Sequence, residues 1–330
     1  MSINCSITGI EFRNPVILAS GPLSASRAGL LRADKIGFGG VVTKSVTITP
    51  SEGNPHPRHA WGKDYLLNSD GLPNKGYKAL AEYVKEAKEM GATIPIIGSV
   101  AGASPEEFAE MSMEFEKKGA DAIELNFCCP QRGRLVGRPR NESLGRYWAE
   151  TPERSYAVVK AVKDAVKIPV WAKFIGEAGF KNYEIVLEME KAGADAVIPL
   201  VAAPGGMAIN LDTGRPVLGN PEGTGTLTGQ AMKPLGIKLV ADISRVLRTP
   251  VIASGGAYSG TDVIEYIMAG AQGVQVLTVI MQKEGTVPDM ITEIETFMLD
   301  KGYHSFQDFR GKTLDFLPPL SIGKSLSSGR

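Results

Sequence analysis

Near the middle of the chain an apolar segment, Ala122-Ile123-Glu124-Leu125, runs out into Asn126-Phe127-Cys128-Cys129-Pro130, an amide, two thiols and a proline. An unperturbed thiol has a pKa of about 8.5, so a modestly tuned cysteine can move a proton at carbon as acid or as base. Taken by residue type alone, either thiol could equally be a buried, hydrophobe-like cysteine. Strand alternation is expected to turn Cys128 away from the site, and Cys129 stands with Asn126 at the strand end. Two cations join this group, because Lys44 and Lys173 each end an apolar run and lysine is rarely buried unpaired. They read either as lysines snorkelling to a rim or as charges facing an anionic ligand. Ser254-Gly255-Gly256 and Thr278 end two later runs, where glycines let backbone N–H groups approach a phosphate closely. A bound organic cofactor fits this set better than hydrolysis, since no histidine and no paired carboxylates are expected at the strand ends. A Schiff-base lyase using Lys173 or Lys44 stays open, as does a non-catalytic binding subunit.

The elements that must hold these residues recur regularly. Short runs rich in Val and Ile fall at 16–19, 41–44, 94–100, 122–126, 170–174, 196–200, 251–254 and 274–278, with helix-length amphipathic segments between them. Near-continuous hydrophobicity indicates burial on both faces, as in a parallel sheet. A weak repeat supports the count. Ile94-Pro95-Ile96, Ile168-Pro169-Val170 and Thr249-Pro250-Val251 open the third, fifth and seventh strands alike, and Gly119-Ala120-Asp121, Gly193-Ala194-Asp195 and Gly270-Ala271-Gln272 lead into the fourth, sixth and eighth. Eight such βα units predict an α/β fold of the TIM (β/α)8 barrel type, with a doubly wound sheet as the alternative. One domain over 1–330 is expected, its barrel at about 14–311 with a C-terminal tail at 312–330. Long segments after strands two (47–73), four (128–151) and six (201–228) should emerge at the C-terminal face as functional loops.

Composition limits the class further. The apolar share is 43% and the charged share 22%, as in a soluble globular protein. Lys plus Arg and Asp plus Glu are 36 each, so no overall field recruits nucleic acid or an anionic membrane. No window approaches the roughly 20 apolar residues that span a bilayer, and no signal peptide is expected. Three cysteines, counting Cys5, make no disulfide framework, which points to a reducing cytoplasm. His56, His59 and His304 show no metal-ligand spacing, so no metal is expected.

Several ordered motifs resemble those of the dihydroorotate dehydrogenase family, the FMN-binding TIM barrels that also include the pyrimidine domain of dihydropyrimidine dehydrogenase. They are Asn14-Pro15-Val16 through Gly21, Val42-Thr43-Lys44-Ser45, Asn68-Ser69-Asp70-Gly71-Leu72-Pro73-Asn74, Asn126 through Pro130, and Gly225-Thr226-Leu227-Thr228-Gly229. The resemblance covers nearly the whole chain. It implies that Ala19, Ser20, Gly21, Lys44, Ser45, Asn68, Asn126, Lys173, Gly229, Gly255, Gly256 and Thr278 surround FMN, with Leu277 in place of a usual glycine. It implies Cys129 as the general acid/base and Lys173 as the cation beside the anionic reduced flavin. Lys44, Asn68, Gly71, Leu72, Asn126 and Gln131 would meet the substrate, and a homodimer is expected.

This chain departs from the family pattern around the substrate ring. Gln131 stands where orotate-binding members carry Asn, Ala202-Ala203 replace an amide-bearing pair, and Ile175-Gly176-Glu177 follow Lys173. A site built to hydrogen-bond its substrate discriminates through such partners. The expectation is therefore a flavin-dependent oxidoreductase on a CH–CH/C=C pair of another anionic dihydropyrimidine or enoate, with true dihydroorotate dehydrogenase as the alternative. The basic run at 131–140 reads as a solvated lid or as a clamp on a substrate carboxylate or phosphate. No cysteine cluster or nicotinamide fingerprint is present, so an external acceptor or electron-transfer subunit is expected.

Overall fold

The computed structural model describes residues 2–129, 144–176 and 183–320. Its centre is a closed barrel of eight parallel strands in chain order. They are β1 (Val16–Leu18), β2 (Gly40–Val42), β3 (Ile96–Val100), β4 (Ala122–Phe127), β5 (Val170–Gly176), β6 (Ala196–Val201), β7 (Ile252–Ser254) and β8 (Gly273–Val276). All eight expected strands are present, and pairing of β8 with β1 closes the ring, which rules out the open doubly wound sheet. Helices α1 (Arg27–Ile36), α2 (Tyr77–Glu89), α3 (Pro105–Lys117), α4 (Pro152–Ala165), α5 (Tyr183–Lys191), α6 (Lys233–Val246), α7 (Gly260–Met268), α8 (Thr278–Gln282) and α9 (Thr286–Lys301) complete the βα units. Among the described residues no helix is long and apolar enough to cross a membrane.

The sequence repeat has a structural reason. Gly119 and Gly193 take positive φ (88° and 97°) just past α3 and α5, the left-handed conformation that glycine adopts most readily at a helix end. The aspartate two residues on then accepts the first strand N–H of the neighbouring unit: Asp121 from Ile96 and Asp195 from Val170, each at 2.7 Å. Lys88 and Lys163 pair with the same aspartates.

Alternation divides the strands between two cores. Val16, Leu18, Val41, Ile96, Ile123, Leu125, Val170, Ala172 and Val274 face the helices. Ile17, Val42, Ile97, Ala122, Trp171, Ala196, Ile198 and Ile252, of opposite parity, fill the barrel floor. An antiparallel hairpin before β1, Cys5–Ile7 with Ile10–Phe12, plugs this floor, with Phe12 6.3 Å from the Trp171 ring. The hairpin extends the fold beyond the expected start near residue 14; three-residue strands are too short for their period to show. At the other end Leu314 and Leu317 pack on the outer core, so part of the expected tail belongs to the body.

The insertions after β2 and β6 are not open loops. They supply the strands His59–Trp61, Leu66–Asn68, Ala203–Met207 and Thr224–Thr228, which form one antiparallel sheet over the barrel mouth. Its pairing joins residues about 160 positions apart, as between Leu66 and Thr228, so no local window reports it.

Candidate active site

Period two along the strands carries the barrel interior from apolar to polar. Two residues above Ala122 stands Glu124, above Trp171 stands Lys173, above Ile97 stands Ser99, and Asn126 follows Glu124 at the same spacing. Register places Ser99 beside Glu124 and Asn126 beside Lys173. Above them a cleft opens beneath the rim sheet. Its polar lining includes Ser20, Lys44, Ser45, Asn68, Asp70, Glu124, Asn126, Cys129, Lys173, Thr226 and Thr228, and its apolar lining includes Pro22, Ile175, Leu200, Ala202 and Leu277.

Asn126 organises the thiols. Its Oδ1 accepts the Cys128 and Cys129 backbone N–H groups at 2.8 and 3.3 Å, a tight turn that ends the strand. Its Nδ2 donates to Ser45 Oγ at 2.8 Å and faces Cys129 Sγ at 3.7 Å. Ser45 Oγ lies 2.9 Å from both Ser20 Oγ and Ser99 Oγ, and Ser99 donates to Glu124 Oε1 at 3.2 Å. From the opposite side Lys173 Nζ donates to Gln275 Oε1 at 2.6 Å, and Gln275 Nε2 donates to Glu124 Oε2 at 2.7 Å.

Lys44 meets a different carboxylate, with its Nζ 3.1 Å from Asp70 Oδ2. His59 Nε2 lies 3.1 Å from the other Asp70 oxygen. Burial alone would push the Asp70 carboxyl up, but His59 and Lys44 outweigh it and hold the group far below the usual carboxylate range. Cys129 is shifted the other way. Burial raises its thiol and Asp70 adds to the rise, while Lys44, the Asn126 amide and Lys173 offset part of it. Burial drives Cys128 well above the ordinary cysteine value. Cys5, in the floor hairpin, is pushed up to about 12 by burial and then by Glu11.

Of the residues expected from sequence, Ser20, Gly21, Lys44, Ser45, Asn68, Gly71, Leu72, Asn126, Cys129 and Lys173 border this one cleft. Ala19 is buried at the end of β1 and donates to Val276 O at 3.0 Å. Gly229, Gly255, Gly256 and Thr278 stand outside the cleft lining, the glycines at positive φ (106°, 95° and 78°) and Thr278 as the first residue of α8. Leu277 lies over Gly21, where an added Cβ would come within 2.4 Å of its side chain. Gln131, Glu177 and the basic run at 131–140 fall outside the described residues. Cys128 is a correction: it is buried but borders the cleft, because the Asn126 turn interrupts alternation after Phe127. Two acids, Asp70 and Glu124, also line the cleft, Asp70 from the insertion after β2 and Glu124 from within β4, and each faces a lysine rather than the other. In sequence Asp70 is one residue of the Asn68 through Asn74 motif, with no role of its own. Glu124 and Gln275 left a signal in polar side chains embedded within Ala-Ile-Glu-Leu and Val-Gln-Val runs.

The family model described as Dihydroorotate dehydrogenase matches residues 2–298. A Methanosarcina mazei protein named dihydroorotate dehydrogenase B (NAD(+)), catalytic subunit, is 38% identical over 307 residues, 93% of each chain. A Pyrococcus furiosus protein of the same name is 37% identical over 313 residues, 94% of this chain and 98% of its own. Among solved structures, the dihydroorotate dehydrogenase of Eimeria tenella in complex with ferulenol superposes with a TM-score of 0.77 at 20% identity. That match covers 96% of this chain and 89% of the other.

Proposed function

The chain belongs to the dihydroorotate dehydrogenase family of flavin-dependent oxidoreductases acting on CH–CH groups, and from that membership we propose that it oxidises dihydroorotate to orotate with bound FMN. The observation that carries the reading is the convergence of Cys129, Asn126, Lys44 and Lys173 on one cleft. The names and coverage of the relatives favour dihydroorotate over the other dihydropyrimidine or enoate expected from Ala202-Ala203 and Gln131. They also favour a flavoenzyme over the Schiff-base lyase and the binding subunit.

The residues present fit a flavin. The cleft is apolar along Pro22, Leu200 and Leu277 and carries two lysines for an electron-rich ring edge. Gly255 and Gly256, at positive φ and packed against Val201 and Lys233, keep side chains away from the backbone assigned to the phosphate. When bound, the flavin supplies a two-electron acceptor for the hydride that leaves one substrate carbon. Cys129, as thiolate, takes the proton from the adjacent carbon, and Asn126 fixes the thiol through the turn it caps. Lys173 and Lys44 place positive charge where reduced flavin and a substrate carboxylate carry negative charge.

The relatives' designation as a catalytic subunit extends the proposal to a separate electron-transfer partner. The test is anaerobic addition of dihydroorotate to purified protein. Bleaching of the oxidised-flavin absorbance with release of orotate is expected, with NAD+ reduced only after the partner subunit is added. A flavin that stays oxidised with dihydroorotate but bleaches with dihydrouracil, or that once reduced with dithionite is reoxidised by an enoate and not by orotate, would return the substrate to the other reading.

A further inference from the structure

Glu124 is fully buried in the middle of β4, and proton transfer by Cys129 leaves it without a role. Its partners fix the direction of every hydrogen bond around it. Lysine has donors and no acceptor, so the atom 2.6 Å from Lys173 Nζ is the Gln275 oxygen. The Gln275 nitrogen is then the atom 2.7 Å from Glu124 Oε2, and that oxygen accepts. On the other side Ser99 gives its single proton to Oε1, so Ser45 must donate across the 2.9 Å contact to Ser99. Ser45 accepts in turn from Asn126 Nδ2, the amide that also faces Cys129 Sγ. Two arms of donors therefore converge on one carboxylate, the first from Lys173 and the second from the Cys129 side.

We propose that Glu124 is a positioning residue that sets, from beneath the cleft, both the field Lys173 presents to a reduced flavin and the readiness of Cys129 to form a thiolate. The inference rests on the flavin reading. Reduced flavin and thiolate are both anions, and a buried negative charge opposes each of them. Glu124 Oε1 lies 3.7 Å from Lys173 Nζ, close enough to cancel part of the lysine's field. Gln275 bridges the two groups and holds the ammonium off the carboxylate. Along the serine arm each bond polarises the next toward Glu124.

Three variants of the purified holoenzyme separate these effects, with flavin midpoint potential and the pH dependence of turnover as readouts. Glu124→Gln removes the charge, so the reduction equilibrium should move at least tenfold toward reduced flavin, about 30 mV for a two-electron couple. Its pH–rate limb should move to lower pH. Gln275→Met keeps the charge but removes the bridge, letting Lys173 fall onto Glu124, so the potential should fall. Ser99→Ala cuts only the serine arm and should move the pH limb while the reduction equilibrium stays within about threefold of wild type. A residue that merely packs β4 would leave both readouts in place. Unmoved potentials, or Glu124→Gln and Gln275→Met shifting the same way, would overturn the proposal. Should Glu124→Gln not fold, an unchanged or raised potential in Gln275→Met does so alone. A colourless protein overturns the flavin reading and this inference with it, whereas a coloured protein with unmoved potentials overturns this inference only.

Discussion

Asp70→Asn removes the carboxylate that pairs with Lys44 inside the cleft, and its effect on substrate choice follows from geometry. Dihydroorotate carries a carboxylate, and one accepted by Lys44 would lie about 2.8 Å from Nζ. Asp70 Oδ2 already stands 3.1 Å from that nitrogen. The two anions are thus no more than about 6 Å apart, where like charges repel by about 3 kcal/mol at an effective dielectric constant near 20 and by under about 1 kcal/mol in bulk water. The Lys44 and Asp70 side chains are only 9% and 15% exposed, which puts the site nearer the first limit. Removing about 2 kcal/mol of repulsion corresponds to about 30-fold. Asp70→Asn should therefore raise the ratio of kcat/KM for dihydroorotate to that for neutral dihydrouracil by about ten- to thirty-fold, a ratio in which the effect of Asp70 on the Cys129 thiol cancels. The assay is steady-state turnover with an artificial dye acceptor, run at two salt concentrations because exposed-charge effects are screened. An unchanged ratio between the two substrates, with flavin content and thermal melting intact, would refute Lys44 as the carboxylate partner.

Cys129→Ser should lower kcat/KM by about 100- to 10,000-fold at neutral pH without loss of flavin, because a hydroxyl is a far poorer base. With the Cys129 thiolate as the proposed base and burial raising its thiol, turnover should climb as pH rises through a value above that of ordinary cysteine; a flat alkaline profile would remove Cys129 from the role. Trp171→Ala empties the centre of the barrel floor, where Trp171 is fully buried and donates to Thr8 Oγ1 at 3.1 Å. It should cost about 3–5 kcal/mol in urea unfolding, and a loss under about 1 kcal/mol would mean the hairpin plug repacks. Gly256→Ala forces a Cβ to within 2.6 Å of Lys233 Cα at a φ of +78°. Weaker flavin retention on dialysis and a lower Tm are expected, and wild-type behaviour in both would show that the β7–α7 turn is free to move.

The strands and their order were legible because barrel strands, buried on both faces, write themselves as apolar runs that outlast any local ambiguity. The repeat of Gly-Ala-Asp before β4 and β6 was equally local, since helix end, turn and strand cap lie within three residues. Cys129, Lys44 and Lys173 could be singled out because a polar side chain at the end of such a run has no packing reason to be there. The rim sheet could not, because the strand pairing Leu66 with Thr228 is joined only through the barrel between them. Asp70 stands in sequence only as a member of the Asn68 through Asn74 motif, and the fold of that insertion brings it to Lys44 and His59. Glu124 reads in sequence as part of the apolar segment Ala122-Ile123-Glu124-Leu125. Its role depends on Ser99, Lys173 and Gln275 from three other strands, and only closure of the barrel brings those side chains within hydrogen-bonding reach. Sequence by itself thus determined the barrel, its strand order and the chemical types at its mouth, all fixed by burial and by period two. Tertiary structure decided which charge faces which, because electrostatic pairing falls off over a few ångströms and those distances exist only once the ring is closed.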